Sequence, residues 1–306
     1  MTKALTAEAE QATARTSAAT LAGVTLRPGR PKDAAPCGRI MYGAFKTISE
    51  YHRFPPDFPS PEAATQLLSW LLANPKFYSV VAEVEGKIVG SNFLDERGMI
   101  AGLGPITIDP STQNQSIGRQ LMLDVLDRAA KRNSPGVRLV QATYHTRSLC
   151  LYSKLGFVVQ ELLVAMQGKA LGLRIPGHKV RSATEGDLAA CNRLCFQIHG
   201  HERGEELVDG IRQGSASVVE RDGQISGYAT LIGFFGHAVG ETNEDLKALI
   251  GAAKQFAGPG FLLPAPNSEL FRWCLEHGLR VVQPMTLMSL GLYDEPRGVF
   301  LPSVLF

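Results

Sequence analysis

The chain has 306 residues, 44% of them hydrophobic and 20% charged, with a formal net charge of +2. That length accommodates two domains of ordinary size, each with ample apolar core. The near-neutral charge provides no basic field for nucleic acid and no strongly acidic face.

Residues 1–22 are rich in Ala, Thr and Glu and lack the apolar core of a signal peptide, which predicts a disordered tail. "VTLRPG" reads as a short strand, and apolar spacing from Ala34 to Phe45 predicts a helix. The stretch "KTISEYHRFPPDFPS" is dense in aromatics and prolines, so it is expected to be an ordered loop. The next element is a helix, with Pro61 at its first position and Pro75 closing it. "FYSVVAEVEGKIVGSNFLD" predicts a hairpin turned at Glu85-Gly86. The strand "IAGLGPITIDP", the amphipathic helix "IGRQLMLDVLDRAAKR" and the strand "GVRLVQATYH" come next. The short helix "SLCLYSKLG", ended by Gly156, and the strand "FVVQELLVAMQG" complete the first half.

From about residue 178 the pattern restarts. "RSATEGDLAACNRL" matches "RPGRPKDAAPCGRI", pairing Arg27 with Arg181, Asp33 with Asp187, Ala35 with Ala189, Cys37 with Cys191 and Arg39 with Arg193. Later, "NSELFRWCLEHGL" aligns with "HTRSLCLYSKLGF". Two matches in the same order argue for an internal duplication. The expected division is therefore a domain at 23–169, a linker at 170–178 and a second domain at 179–306. The terminal "GVFLPSVLF" is expected to dock on a sheet. The five cysteines (Cys37, Cys150, Cys191, Cys195, Cys274) are scattered without a CxxC pair. They predict buried reduced thiols in a cytoplasmic protein, with Cys191 and Cys195 in the core beside surface His199 and His201 rather than in a metal site. No apolar run reaches membrane-spanning length, so no membrane partner is expected.

The loop "STQNQSIGRQ", between an apolar strand and a helix, has two readings. Backbone N–H groups leading into a helix N-terminus make a phosphate site, for which small residues are favoured. The same pattern also fits an ordinary turn capped by Ser116. Residues further along the chain narrow the choice. With Gln113 and Gly118 in the loop, and Tyr152, Gly156 and Phe157 in "HTRSLCLYSKLGF", the sequence resembles the GCN5-related N-acetyltransferase (GNAT) superfamily over roughly residues 24–168. More narrowly, through "GLGPITIDP" and the trailing half, it resembles the two-domain YitH/HolE-type acetyltransferases. Two departures stand out: Ser116 replaces the first loop glycine, and His145 stands where Asn is usual.

The resemblance implies an α/β fold with a mixed (α+β) sheet, built as two tandem GNAT-like domains of which the C-terminal one is degenerate. It implies acetyl-CoA as co-substrate, without a metal, held by Ile106, Thr107 and Ile108 of the strand, by Gln113, Asn114, Gln115, Ser116, Ile117, Gly118 and Arg119 of the loop, and by His145. The acceptor would be a primary amine on a small molecule, under Tyr51, His52 and Phe54 of the aromatic loop. That loop also reads as packing between two helices. Tyr152 would be the acid that protonates the leaving thiolate, or else a tyrosine packed over the sheet. The base is left open among Asp95, Glu96, His52 and a water chain. In the second half Cys274 replaces Tyr152, Asn267 reads as a helix cap, and Glu241, Glu244 and Asp245 would repel a pyrophosphate. Two other functions fit the same motifs: a non-catalytic acyl-CoA sensor, and a protein or peptide lysine acetyltransferase. The sequence leaves open a monomer or a homodimer.

Overall fold

The computed structural model describes residues 23–113 and 116–305. The tail at 1–22, and Asn114 and Gln115 of the loop, lie outside the described residues. In the first half, β1 (Val24–Pro28) is followed by α1 (Ala34–Tyr51), α2 (Pro61–Ala73), β2 (Phe77–Val84), β3 (Lys87–Asp95), β4 (Ala101–Leu103) and β5 (Thr107–Ile108). Then come α3 (Ile117–Lys131), β6 (Gly136–Ala142), α4 (Thr146–Lys154) and β7 (Val158–Gln167). The second half repeats this order, with β8 (His178–Ser182), α5 (Leu188–His199), α6 (Gly204–Arg212), β9 (Ser217–Arg221), β10 (Gln224–Ala229) and β11 (Ala238–Gly240). It continues with α7 (Asn243–Ala252), β12 (Phe261–Pro264), α8 (Ser268–Glu276), β13 (Arg280–Gly291) and β14 (Val299–Leu301).

Local chemistry explains the main boundaries. Ser60 caps α2 by accepting from the Ala63 N–H, and Pro61 occupies the first turn, where no donor is needed. The β2–β3 hairpin turns on Glu85 and Gly86, both at positive φ (49° and 73°), and β9–β10 turns the same way on Asp222 and Gly223 (52° and 75°). One boundary differs from expectation. The first helix runs on to Tyr51, because "KTISEY" contains no breaker before the prolines, so the aromatic loop begins at His52 rather than after Phe45.

The two halves do not form separate sheets. One nine-stranded sheet runs β1-β2-β3-β4-β6-β13-β7-β12, with β5 paired to β3, and a five-stranded sheet runs β14-β11-β10-β9-β8. Strand β13 of the second half is inserted between β6 and β7 of the first, antiparallel to both. Reciprocally, β7 lies between β12 and β13. If β6 corresponds to β12 and β7 to β13, the arrangement is pseudo-symmetric about the β7–β13 seam, with each repeat lending its last strand to the other. The terminal strand β14 pairs with β11 and buries Phe300, in line with the docking expected of "GVFLPSVLF".

The duplicated residues make duplicated contacts. Arg27 donates to Asp33 at 2.7 Å and 3.1 Å and to Glu83 at 2.9 Å and 2.6 Å. Arg181 donates to Asp187 at 2.8 Å through each of two nitrogens and to Glu220 at 2.7 Å. Cys37 and Cys191 are both fully buried. Of the five cysteines Cys150 alone is exposed, contrary to the expectation that all would be core, because its place on α4 borders an open cleft. His199 and His201 are not surface residues either. Both are buried and stacked on one another, with His199 edge-on to Phe300 of β14, a strand whose docking the local sequence of α5 does not reveal.

The guanidinium of Arg27 holds the Asp33 carboxyl below its ordinary value, and Arg181 does the same to Asp187. Depressed folded values mean that this stability is fully present above the unfolded value near pH 4 and is lost as pH falls through the folded values. Asp33→Asn and Asp187→Asn are each expected to lower unfolding free energy at pH 7 by about 1–3 kcal/mol. Denaturant titrations should show the deficit narrowing below about pH 4.

Candidate active site

Strand β4 pairs in parallel with β6 only at Ala101–Gly102, after which the chain continues as β5 paired to β3 alone. The two strands therefore splay, and the β5 backbone faces an opening instead of a neighbouring strand. Unpaired strand amides and carbonyls of this kind can hydrogen-bond an extended amide-bearing ligand.

Above the splay, α3 begins. The first intrahelical bond at its start is Gln120 N–H to Ser116 O at 3.1 Å, so the amides of Ile117, Gly118 and Arg119 precede it. Ser116 makes no side-chain cap, which sets aside the ordinary capped turn, and it adopts a left-handed conformation (φ 58°, ψ 9°). Gly118 leaves little room: a Cβ there would come within 3.2 Å of Ile108 Cδ1, which a small shift of that side chain would relieve, and into ordinary contact with Leu151 Cδ2 at 3.6 Å.

These elements wall a cleft of about 580 Å³ lined by Ile108, Thr112, Gln113, Ser116, Ile117, Gly118 and Arg119 on one side. The other side comes from α4 and its start, including His145, Arg147, Ser148, Cys150, Leu151 and Lys154. Its charged residues are Arg119, Arg147 and Lys154, with no carboxylate among the lining, and the helix start adds partial positive charge. The cleft is built for a phosphate-bearing ligand. Arg147 and Lys154 were not anticipated from the sequence, although their seven-residue spacing places both on one face of a helix.

Of the three strand residues expected at the coenzyme, Ile108 lines the cleft, whereas Ile106 packs against the core and Thr107 is buried with its Oγ1 3.5 Å from Ser91 Oγ. His145 precedes α4 and its Nδ1 lies 2.8 Å from Ser148 Oγ. Burial pushes the His145 value down to about 4, so the ring is neutral at pH 7. Tyr152 lies beneath this wall rather than in the cleft. Its ring packs in the core beside Phe157, burial pushes its hydroxyl up to about 12, and a hydrogen bond with Ser148 opposes that rise. His145, Ser148 and Tyr152 thus form a file of polar groups along one face of α4.

The carboxylates proposed as bases are not brought to the cleft. Asp95 is paired at 2.5 Å with Arg97, which also reaches Asp209 of α6. Glu96 accepts from Arg128 at 2.7 Å and 3.0 Å. Neither lines the opening at β5.

The aromatic loop does come near. The His52 ring lies 5.3 Å from Tyr144, and Phe54 stacks on Tyr144 at 4.4 Å, one residue before His145. Tyr51 ends α1, is 80% exposed, and contacts the edge of His52. The second half closes this side: Tyr144 donates to Gln283 at 3.0 Å, and Thr143 Oγ1 lies 2.7 Å from Thr286 Oγ1, both partners being on β13.

The counterpart helix start in the second half is closed. Asp245 of α7 accepts from the Thr242 N–H at 2.8 Å and from the Thr242 hydroxyl at 2.9 Å, a capping box that puts a carboxylate where an anion would bind. Asn267 caps α8 through the Leu270 N–H, and Cys274 is buried in the place of Tyr152. No cluster of metal-ligating side chains occurs among the described residues.

A splayed sheet with a cationic helix start over the opening is the feature on which the comparisons with known proteins bear. The sequence profile of the acetyltransferase (GNAT) family matches residues 45–157. The whole fold is similar to solved structures of low sequence identity. A candidate acetyltransferase from Pyrococcus horikoshii has a TM-score of 0.71 at 17% identity, with 92% of this chain and 96% of that one covered. A GCN5-related N-acetyltransferase from Sphaerobacter thermophilus has 0.59 at 14%, covering 89% and 96%. A tandem GNAT protein from the clavulanic acid biosynthesis pathway has 0.55 at 12%, covering 89% and 100%. No curated protein sequence matches the chain. Residues 45–157 thus match the GNAT acetyltransferases, a family of acyltransferases that use acetyl-CoA, and the whole chain has the fold of a tandem GNAT protein. No helix among the described residues is long and apolar enough to cross a membrane.

A serine at positive φ carries backbone strain that glycine avoids. Ser116→Gly is expected to raise unfolding free energy by about 1 kcal/mol, measured by denaturant titration of the ligand-free protein.

Proposed function

We propose that the protein transfers the acetyl group of acetyl-CoA to a primary amine of a small molecule, using the first repeat alone. The observation that carries this reading is the contrast between the two helix starts. The start of α3 is open and flanked by Arg119, Arg147 and Lys154, whereas that of α7 is filled by its own Asp245. We take 23–169 and 179–306, joined by 170–178, as the functional units, with the second serving to wall the acceptor side through β13.

In this reading the amides of Ile117, Gly118 and Arg119 receive the pyrophosphate, together with Gln113 and the two loop residues Asn114 and Gln115. The open edge of Ile106–Ile108 receives the pantetheine amides and aligns the thioester. The neutral amine attacks the carbonyl carbon, its nitrogen gives up a proton to solvent, the C–S bond breaks to leave the amide, and the departing thiolate takes a proton. A phenol held at about 12 is protonated throughout the neutral range, so Tyr152 is supplied as an acid and not as a base. Because Tyr152 lies beneath the wall, its proton reaches the cleft through Ser148, which lines the cleft beside His145. His52, Phe54 and Tyr51 border the acceptor.

One observation favours the sensor reading. Asp95 and Glu96 are both neutralised by arginines, leaving neither free to deprotonate an amine. Turnover separates the two readings: acetyl-CoA consumption that depends on an added amine supports transfer, and binding without it supports sensing.

Arg119 is exposed, and reversing its charge should leave the fold intact. Arg119→Glu is expected to weaken acetyl-CoA binding by about tenfold or more in calorimetric titration, with an unchanged melting temperature. Tyr152→Phe is expected to lower kcat by about 10²-fold with acetyl-CoA affinity preserved, and Ser148→Ala to fall between it and the wild type.

A further inference from the structure

Among the enclosed carboxylates of this protein, cationic partners are the rule. Asp33 has Arg27, Asp95 has Arg97, Asp187 has Arg181, Glu206 has Arg203, and Asp245 has Arg221. Asp57, in the loop between α1 and α2, departs from that rule, as does Asp124 of α3, whose partner is the Tyr78 hydroxyl; of the two, Asp57 is the more deeply enclosed. The residue keeps some accessible surface, yet its carboxyl group is set deep against protein. Its hydrogen-bond partner is neutral: Gln283 Nε2 donates to Oδ1 at 2.8 Å. No ion pair reaches it from the described residues, and the influences on its proton affinity are burial, which raises it, and the Gln283 hydrogen bond, which lowers it. An enclosed carboxylate without a cation is expensive, and proteins keep such groups where a ligand completes them.

The surroundings specify that ligand. Gln283 is fully buried beside a bulge in β13, and its Oε1 accepts from Tyr144, so one amide ties Asp57 to the rim of the coenzyme cleft. Tyr144 stacks on Phe54 and lies against His52, giving π faces next to the carboxylate. The negative charge of Asp57 is felt at the Tyr144 hydroxyl, whose proton is held more tightly for it. A carboxylate with aromatic rings beside it attracts an organic ammonium.

We propose that Asp57 binds the ammonium group of the acceptor, and that the acceptor is a cationic arylalkylamine seated between this carboxylate and the His52, Phe54 and Tyr144 rings. This rests on the acetyltransferase reading above. It also gives the second repeat a task in recognition, because Gln283 holds Asp57 in place.

The test compares wild type with Asp57→Asn, which keeps the shape and the oxygen that accepts from Gln283. Each protein, with acetyl-CoA present, is titrated with phenethylamine, tryptamine and the neutral isostere 3-phenylpropanol, and melting temperature and amine-dependent release of CoA are read. The amines, and not the alcohol, are expected to stabilise the wild type, with apparent affinity reduced about tenfold or more in Asp57→Asn. The unliganded variant should melt at the same or a higher temperature, since it has lost an unpaired charge. Equal amine affinity in the two proteins, no amine response in a wild type that binds acetyl-CoA, or a marked loss of stability in Asp57→Asn would each overturn the proposal. Calorimetric titration with acetyl-CoA on the same samples separates the failures. Bound acetyl-CoA with an indifferent Asp57 defeats this inference alone, whereas no binding defeats the acetyltransferase reading beneath it.

Discussion

The pairing of β7 with β13 is the constraint on which the rest of the molecule depends. Each of these strands follows the last helix of its repeat, and each is pinned between strands of the other, so neither half can complete its sheet alone. A tethered pair of domains could drift, but a shared ladder fixes register residue by residue. That register sets Thr286 against Thr143 and brings Gln283 to Tyr144, so the second repeat becomes a wall of the first repeat's site. The degenerate half can therefore lose a ligand site of its own without becoming dispensable.

The divergence of the repeats is then a matter of what occupies a helix N-terminus. Both α3 and α7 begin with amides that have no partner within the helix. In α7 the chain answers them internally with Thr242 and Asp245, the latter buried and also bonded by Ser226. In α3 Ser116 supplies no side-chain cap and stands in a left-handed conformation, which fits the proposal that a ligand takes up these groups. Strain in one copy and satisfaction in the other are what a working site and a retired one should show.

Much of this was legible in the sequence where local chemistry decides. The Arg27/Asp33 and Arg181/Asp187 correspondence was visible because each triad sits at the same strand-to-helix junction, and its residues cannot be exchanged for others without losing the paired charges. The loop at Gln113–Gly118 and the Tyr152–Gly156–Phe157 spacing were legible for the same reason. Long-range placement was not. The same local sequence that reads as a strand cannot say that β13 crosses into the other half, so Gln283 and Thr286 could not be assigned to the site. Glu96 could not be told from a catalytic base because its arginine, Arg128, is on α3; Arg97 stands only two residues from Asp95, but the Asp209 that anchors it belongs to the second repeat. His199 and His201 went astray likewise, since the strand that covers them arrives a hundred residues later.

Asp57 shows the same limit from the other side. In sequence it is one acidic residue among prolines, with nothing to separate it from a solvated loop charge. Its meaning comes from enclosure, from a glutamine supplied by the exchanged strand, and from the lack of any cation beside it among the described residues. The strand exchange that made the second repeat necessary for folding also placed that glutamine. A copy freed from binding a coenzyme could then be shaped by the chemistry of the acceptor, which is where members of one acyltransferase family must differ.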